Sequence, residues 1–322
     1  MIEKKNLYVA NFNCTFSKDK NNEPLLSYFE TIIFPAFTRG TVYKKPKSDN
    51  EFLFEEVELN FKNGVFVLMG LIVKKTHLEI KTRYDEQGVL TTTNDLVQSD
   101  PFSYFIINLQ NHRMVLVQNQ KGSPTVTDFD RTASHILSMY VREHNRNVSQ
   151  NENRLPKPNL NVVTVPHSGK IEEELKNISK IESAVLRFYP LNGDISANEL
   201  FNELREMLDK LDSKTGSTQF NNPQNHKEVT DILKDTKGTV RPTLRVVYDN
   251  GSRRTLREND FSENTKIQLD ESSSFHKNMS EISEKVVNHP HYNDTSVENA
   301  SIYQRYLSKL EIFFSKRKQE EK

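Results

Sequence analysis

The chain is 322 residues long, which exceeds the usual size of a single domain, so we expect two hydrophobic cores. Its 44 lysines and arginines balance 44 aspartates and glutamates, which excludes a global field that would attract nucleic acid or anionic lipid. Any such binding must therefore be local. The only cysteine, Cys14, excludes internal disulfides and cysteine-cluster metal sites, and we expect it to be a small buried hydrophobe.

The start of the chain, MIEKKNLYVANF, has no apolar stretch of signal-peptide length. The longest strongly apolar run, Val65 to Val73, is too short to cross a bilayer. A single cysteine also fits a reducing compartment. The sequence therefore predicts a cytoplasmic protein that is neither secreted nor membrane-spanning.

The first half of the chain is predicted to consist mainly of strands. Residues 6–16 alternate in the manner of a strand, and a short helical patch follows over residues 25–32. Strand signals return at residues 51–61, and the turn at 63–64 leads into VFVLMGLIV, residues 65–73. This run is apolar enough to be a central strand.

Two further β-rich segments follow, at residues 76–84 and 102–118. The second predicts a hairpin with its polar turn at residues 110–113. A helix capped by Thr127 or Asp128 then closes this half.

A polar linker separates the two halves. Residues 145–159 hold almost no apolar side chains and end in Pro-Lys-Pro, which disfavours helix and sheet alike. We place a domain boundary there, which predicts a β-rich domain over residues 1–147 and an α+β domain over residues 158–322. The predicted fold class is α+β, with a second half that alternates strand and helix and ends in helices.

The second half opens with the predicted strand LNVVTV and a helix from about Ser168, followed by the strand SAVLRFYP. Ser196 and Glu199 have the spacing of a capping box. The helix that they open is predicted to be amphipathic, with one apolar face formed by Leu200, Leu204, Leu208 and Leu211.

A short helix, KEVTDILKD, and a hairpin, TLRVVYDNGSRRTLRE, come next. The hairpin prediction rests on Asp249-Asn250-Gly251, since these residue types accept the positive φ of tight turns.

The last segment predicts a helix with apolar residues at alternating spacings of three and four, Ala300, Tyr303, Leu307, Leu310 and Phe314. Because this seam is only about two heptads long, we favour packing of the helix onto its own domain, residues 158–322, over a homodimer seam. A homodimer that forms through this seam stays the alternative.

Motifs of common enzymes are missing from the sequence. It contains no GxGxxG or GxxxxGK[ST] loop, no HExxH zinc motif and no GxSxG elbow. His289 and His291 flank a proline in an expected loop, where a metal would need further ligands. The sequence therefore predicts no catalytic residue, metal or cofactor, and leaves open an active site assembled from scattered residues.

A local excess of positive charge lies between Lys234 and Arg257, a segment that contains seven basic residues and two acidic ones. Arginine suits bidentate contact with phosphate, and a two-stranded ribbon can straddle a DNA groove. The candidate nucleic-acid-binding residues are Lys237, Arg241, Arg245, Arg253, Arg254 and Arg257. The alternative is a solvated sheet face, or pairing with acidic helices such as that at Glu172–Glu174.

A second and weaker basic cluster is formed by Arg39, Lys44, Lys45 and Lys47. Because no aromatic platform is interleaved with the basic residues, contact with the duplex backbone is favoured over stacking on single strands.

The order of these segments resembles the RexA-type phage-exclusion proteins and a related bacterial family of similar length. The segments that carry the resemblance are FSYFIINLQNHRMVLVQ and its following helix, LNVVTVP, SAVLRFYPLNGDISANELFNEL, TLRVVYDNGSRRTLRENDF and the C-terminal amphipathic helix. The resemblance implies an intracellular component of an abortive-infection system that binds DNA without strong sequence preference. It also implies a homodimer that signals to a membrane effector encoded nearby, and it transfers no catalytic residue.

The leading functional hypothesis is a non-catalytic DNA-binding sensor in phage defence. Its predicted partners are double-stranded DNA, a second copy of the chain and a membrane effector. Two alternatives stay open, namely a metal-dependent nuclease effector and a protein-interaction scaffold whose basic face meets an acidic partner.

Overall fold

The structure, a computed structural model, describes residues 2–18, 21–148, 154–190, 199–262, 265–270, 273–287, 289–293 and 295–320. The strands are β1 Ile2–Lys18, β2 Asn21–Pro24, β3 Tyr43–Lys44, β4 Glu51–Lys62, β5 Val65–Tyr84, β6 Leu90–Ser99, β7 Phe102–Asn108, β8 Arg113–Gln118, β9 Lys157–Thr164, β10 Ile178–Phe188, β11 Gly216–Asn221, β12 Val240–Tyr248, β13 Arg253–Arg257 and β14 Thr265–Asp270.

The helices are α1 Phe34–Thr38, α2 Val126–Arg146, α3 Ser168–Leu175, α4 Glu199–Lys210, α5 His226–Asp235, α6 Glu258–Phe261, α7 Phe275–Val286, α8 Pro290–Asn293 and α9 Val297–Glu320. A 3₁₀ turn, Leu25–Tyr28, and a π-helical turn, Phe29–Ile33, lead directly into α1. The predicted α+β class is confirmed.

The larger sheet contains ten strands of the described chain, and we call it the first sheet. Its main order is β14-β1-β8-β7-β5-β4-β3, with β2 and β9 also paired to β1 and β6 paired to β5. The strand β5 lies between β4 and β7, as the apolar run at residues 65–73 predicts.

Both faces of the first sheet are covered by helices, which explains the long apolar runs of its central strands. One face packs against the helical segment 25–38, α2 and α9. Its aromatic centre includes Phe37 and Phe54, stacked with ring centroids 4.5 Å apart, and Phe105 and Phe129 against them. The other face packs against α7 and α8. Cys14 is buried on the first of these faces, as expected.

The smaller sheet, which we call the second sheet, has the order β11-β10-β12-β13 in the described chain. All of its strand pairs are antiparallel. The predicted hairpin is confirmed as β12 and β13, and Gly251 in its turn has φ +79°. Helices α3, α4, α5 and α6 bury one face of this sheet, and no helix of the described residues packs on the other face.

A two-stranded arm extends beyond the first sheet. Residues 76–84 of β5 pair with β6, and β6 pairs with no other strand in the described chain. We call residues 76–99 the arm. Its large apolar side chains are exposed, including Leu78 at 60% and Tyr84 at 71%.

Sheet membership does not follow the expected division at the polar linker. Strands β9 and β14 both lie beyond residue 157 and yet pair with β1 at the start of the chain. Helices α7, α8 and α9 also pack on the first sheet. The second sheet and its helices are therefore formed by the middle of the range 158–322. In the sequence this segment lies between β9 and β14, which both belong to the first sheet.

Two local expectations about helices differ from the structure. Helix α2 is capped by Thr125, not by Thr127 or Asp128, because Asp128 is the third helical residue and completes the capping box from there. The predicted capping residue Ser196 lies outside the described residues.

On α4 the predicted leucine face is only partly correct. Phe201, Arg205 and Leu208 are buried, whereas Leu211 lies beyond the end of the helix and is 70% exposed. Leu200 lies among the residues whose side chains the structure does not describe.

The C-terminal helix α9 packs onto the first sheet, mainly against residues of the first half of the chain, and not within the second-half domain as expected. Tyr303 and Leu310 are buried there. Phe313 contacts Phe34 with ring centroids 5.2 Å apart, and Phe314 contacts Phe66 at 5.5 Å. The predicted apolar seam is thus used within one chain.

The two sheets meet at a polar seam along β1. Asn11 Nδ2 donates to the carbonyls of Lys237 at 3.2 Å and Gly238 at 2.9 Å. Asn13 Nδ2 donates to the carbonyl of Pro190 at 2.6 Å. Because side chains alternate along a strand, these asparagines face the seam while their strand neighbours Ala10, Phe12 and Cys14 fill the core.

Glycine is required at residue 238, where the chain before β12 lies close to the end of β9. Gly238 has φ +78°, and a Cβ atom there would lie only 3.1 Å from the Cα of Val165. Both the conformation and the space exclude a larger residue.

Candidate nucleic-acid interface

The uncovered face of the second sheet is polar and basic, and we call it the open face. Alternation along each strand produces it, because residues such as Leu244 and Val246 point to the helices while their neighbours point away. The open face is formed by Lys180, Ser183, Val185, Arg187, Ser217, Gln219, Asn221, Thr243, Arg245, Val247, Arg253, Thr255 and Arg257.

The strand register places three cations of the open face, Arg245, Arg253 and Arg257, near one another. Arg245 lies opposite Ser183 on one side and Thr255 on the other. Arg253 and Arg257 flank Thr255 on the same strand face, so both are diagonal neighbours of Arg245, at about 7–8 Å. These arginines therefore form one continuous basic surface.

Three arginines of this surface have no carboxylate partner. Arg187, Arg245 and Arg257 are exposed, and none forms an ion pair within the described parts of the chain. Arg253 differs because its Nε lies 3.4 Å from Glu182 Oε1. Both members of that pair are solvent-accessible, so the contact is weak.

Arg254, also a predicted nucleic-acid-binding residue, is not part of the open face. It lies opposite Val246 and therefore points to the helical side of the sheet. There it pairs with Glu174 at 3.1 Å and with Asp260 at 2.6 Å. This is the pairing with an acidic helix that the sequence left open as the alternative.

Arg241, another predicted nucleic-acid-binding residue, is engaged in ion pairs within the protein. Its side chain is only 27% exposed and pairs with Glu258 at 2.6 Å and Asp130 at 3.3 Å. It also donates to the carbonyl of Val162 at 3.1 Å, and its guanidinium lies 5.7 Å from the ring centroid of Tyr189. We call Arg241, Asp130 and Glu258 the ion cluster.

Burial dominates the electrostatics of the ion cluster. Loss of solvation raises the pKa of Asp130, against the opposing effects of Arg241 and of the Val162 N–H that Asp130 accepts at 2.8 Å. Burial raises the pKa of Glu258 in the same way. Burial opposes the charge of Arg241 too, but the two carboxylates outweigh it and raise the pKa of Arg241. The cluster therefore joins α2 of the first sheet to β12 of the second as a structural contact.

Lys237 precedes β12 and lies off the strand surface that carries the other candidates. It has φ +47°, and its carbonyl accepts hydrogen bonds from Asn11 and from Arg113 Nη1 at 3.4 Å. Its backbone thus helps to hold the two sheets together. Of the six predicted residues, the structure brings together Arg245, Arg253 and Arg257.

Two cations of the open face were missed by the sequence analysis. Lys180 and Arg187 lie on β10, about fifty residues before the basic segment. The signal was present in SKIESAVLRF, where polar and charged residues interrupt the apolar ones. It could not be assigned to the basic hairpin without knowing that β10 and β12 pair.

The second basic cluster is largely neutralised. Arg39 pairs with Glu143 at 2.5 Å, Lys44 with Glu51 at 2.8 Å and Lys45 with Asp128 at 3.2 Å. These cations contribute less to an anion-binding surface than the arginines of the open face do.

No group of three or more histidine, cysteine, aspartate and glutamate side chains in the described ranges is placed to hold a metal ion. His289 and His291 lie at α8, with ring centroids 5.9 Å apart. Within the described residues, no helix is long and apolar enough to span a membrane.

Comparisons with known proteins returned no relative. No protein-family model matches the chain, and no curated protein or solved structure matches it either. The resemblance to RexA-type proteins stays a prediction.

Proposed function

We propose that this protein binds double-stranded DNA through the open face and acts as the non-catalytic DNA-binding sensor of an anti-phage defence system. The observation that carries the DNA-binding proposal is a set of three exposed arginines, Arg187, Arg245 and Arg257, on one sheet face of a neutral chain, none of which pairs with a carboxylate of the described residues. The defence role rests on the resemblance to RexA-type proteins. A homodimer and a membrane effector are further implications of that resemblance.

Contact with the phosphate backbone fits this surface better than base readout does. Arginine forks match phosphate oxygens in a bidentate manner. The threonine, serine, glutamine and asparagine side chains between the arginines can donate further hydrogen bonds to phosphates. No residue of the open face is aromatic, so it offers no stacking platform for unpaired bases. Binding is therefore expected to tolerate different sequences.

The experiment is a titration of a labelled DNA duplex with wild-type protein and with the triple variant Arg187→Glu, Arg245→Glu and Arg257→Glu. The matched control reverses three exposed lysines on the helical side of the same sheet, Lys176→Glu, Lys210→Glu and Lys227→Glu. Both variants change the net charge by the same amount. Only the open-face variant should lose affinity, by more than about tenfold, because it removes direct phosphate contacts.

Two results would contradict the proposal at different levels. Equal losses of affinity in both variants would show that only net charge matters and would contradict the assignment of the binding site to the open face. Failure of the wild-type protein to bind any duplex at low salt would contradict the proposed DNA-binding function. Incubation of the DNA with Mg²⁺ or Mn²⁺ belongs in the same series, since cleavage would favour the nuclease alternative.

A further inference from the structure

The strand β11 forms one edge of the second sheet, and its backbone hydrogen-bonding groups alternate in direction. The Asn222 N–H donates to the Glu182 carbonyl at 3.0 Å, which continues the β10–β11 ladder by one hydrogen-bonded pair. Every second residue of β11 repeats this pairing. The residues between them, Ser217, Gln219 and Asn221, therefore point their N–H and C=O groups away from β10. No other strand of the described chain pairs with β11.

This edge lacks the features that protect several other strand edges of the described chain from pairing with a second molecule. At the opposite edge of the second sheet, three of the five residues of β13 are arginines. On β14, Lys285 Nζ donates to the backbone carbonyl of Gln268. On the arm, the register of β6 shifts between its partners Ile80 and Thr82. By contrast, β11 has the sequence GSTQFN, without a charge, a proline or a register shift.

The helical side of the β11 edge is apolar. Phe220 lies opposite Ala184 and so points to the helices, yet it is 40% exposed. It forms one wall of a small apolar hollow, which Val229 and Ile232 of α5 also line. In the segment that leads into β11, Leu211 is 70% exposed. Exposed apolar side chains beside an open strand edge are typical of a surface that another chain covers.

We propose that β11 pairs antiparallel with β11 of a second copy of this chain, which joins the second sheets of two chains into one sheet of eight strands. A two-fold axis at Gln219 places this residue opposite itself and Ser217 opposite Asn221 of the second copy. In this register the outward-pointing backbone groups of both copies meet one another, as an antiparallel ladder requires.

The side chains are self-complementary in this register, which favours a second copy as the partner. On the open face, the two Gln219 amides lie side by side, and each offers a donor and an acceptor. On the helical side, Phe220 lies opposite Thr218 of the second copy and diagonal to the other Phe220, within reach of an aromatic ring. No charged residues meet. The same pairing of two β13 strands would place Arg253 opposite Arg257, and these like charges repel.

Pairing through β11 also extends the open face. Arg187 lies opposite Ser217, so in each copy it is one strand away from the junction. The basic surface then continues from one chain to the other across the two-fold axis. The pairing itself does not depend on DNA binding, and only this extended contact with DNA rests on the proposed function.

Analytical ultracentrifugation without DNA tests the pairing, over about 5–200 µM protein because a short interface binds weakly. We expect the wild type to approach the mass of two chains. Gln219→Pro should keep the mass of one chain, because it removes an N–H that points away from β10. Thr255→Pro is the matched control, since the Thr255 N–H points away from β12 at the opposite edge, and it should dimerise like the wild type.

Cysteine substitutions test the register. Mild oxidation should link two chains of the Gln219→Cys variant, because hydrogen-bonded partners have Cα atoms about 5.5 Å apart, within the range of a disulfide. Ser217→Cys should not link, since the two copies of residue 217 are about 13 Å apart along the strands. The natural Cys14 is buried and does not compete.

Three results would each overturn the proposal. The wild type could keep the mass of one chain over the whole concentration range. Gln219→Pro could dimerise as the wild type does, which would place the interface elsewhere. Gln219→Cys could link no better than Ser217→Cys. Since DNA is absent from all of these measurements, failure of the pairing is distinguishable from failure of DNA binding.

Discussion

At the scale of single residues, Arg241 shows that a basic side chain can be structural in a segment whose positive charge predicts anion binding. Its guanidinium neutralises two carboxylates that belong to different parts of the fold, Asp130 on α2 and Glu258 on α6. Burying an ion pair costs free energy, but removing only one of its partners costs more, because the remaining charge stays buried.

Replacing Arg241 with methionine should therefore lower the free energy of unfolding by about 3 kcal/mol. Arg257→Met is the matched control, since that side chain is exposed and unpaired, and we expect it to change stability by less than about 0.5 kcal/mol. Urea denaturation measures both. Equal denaturation midpoints for the two variants would show that the ion cluster does not stabilise the fold.

The same cluster predicts a pH effect of defined sign. Because burial raises the pKa of Asp130 in the folded state, the folded protein holds more protons than the unfolded chain above the ordinary carboxyl pKa of about 4. This residue's contribution to stability is therefore fully present below that pH and is lost as the pH rises through the raised pKa.

Asp130→Asn removes this titration and leaves Glu258 to pair with Arg241. The free energy of unfolding of the wild type relative to the variant should therefore decrease as the pH rises from 4 toward 8. Denaturation curves at several pH values provide the measurement. A difference between the two proteins that increases over this interval would contradict the sign.

At the scale of elements, α9 is fastened to the first sheet by a hydrogen bond as well as by apolar contact. The backbone N–H of Phe66 donates to the hydroxyl of Tyr303 at 2.9 Å in a buried position. Tyr306, one turn further along, shares a hydrogen bond with Ser27 Oγ at 2.7 Å in a partly buried position.

Tyr303→Phe should cost about 1–2 kcal/mol, because it leaves a buried backbone N–H without a partner. Tyr306→Phe should cost about 0.5 kcal/mol, since water can replace the lost hydroxyl there. Thermal melting compares the two variants directly. A larger effect at Tyr306 would mean that the helix is held mainly by its polar edge.

The arm is the element with the least support from the rest of the chain. A two-stranded hairpin alone contributes little to stability, and β6 pairs only with β5 in the described chain. Replacing residues 78–97 with Asn-Gly would join His77 to Gln98, which are paired partners, through a two-residue turn.

We expect this shortened protein to melt within about 3 °C of the wild type. Leu68→Ala on the same long strand is the contrasting variant, because Leu68 is fully buried and its truncation should cost about 2–5 kcal/mol. A large loss of stability in the shortened protein would instead make the arm part of the folded core.

At the scale of the whole molecule, neutral charge makes the open face the source of any attraction to DNA. Its five cations are Lys180, Arg187, Arg245, Arg253 and Arg257. If each neutralises one phosphate, the logarithm of the association constant should fall against the logarithm of salt concentration with a slope of about −4.5. Anisotropy titrations at four salt concentrations give this slope. A slope near zero would exclude backbone contact by these residues.

The sequence predicts the elements of this molecule better than their assembly, for a physical reason. Alternation and helical periodicity are local, so the hairpin of β12 and β13 and the helix α9 could be derived from neighbouring residues. Pairing between distant strands leaves no such local signal. The linker at residues 145–159 therefore suggested a boundary, while β9 just beyond it pairs with β1.

The candidate site shows the same limit. The hairpin arginines could be predicted because their charge density is local. The role of Arg241 could not, since its partner Asp130 is 111 residues away in the sequence. Arg187 joins the site only because β10 pairs with β12.

The pairing of β1 with β14 has a consequence for how the protein is made. Ile2 of β1 lies opposite Asp270 of β14, so β1 cannot pair with β14 until about 270 residues have been synthesised. At ribosomal rates this takes about 15–50 s, during which an edge of β1 stays open. Strand pairing over such long separations is slow, and open edges invite association with other chains. We therefore expect nascent-chain chaperones to occupy the N-terminal strand until synthesis has passed residue 270.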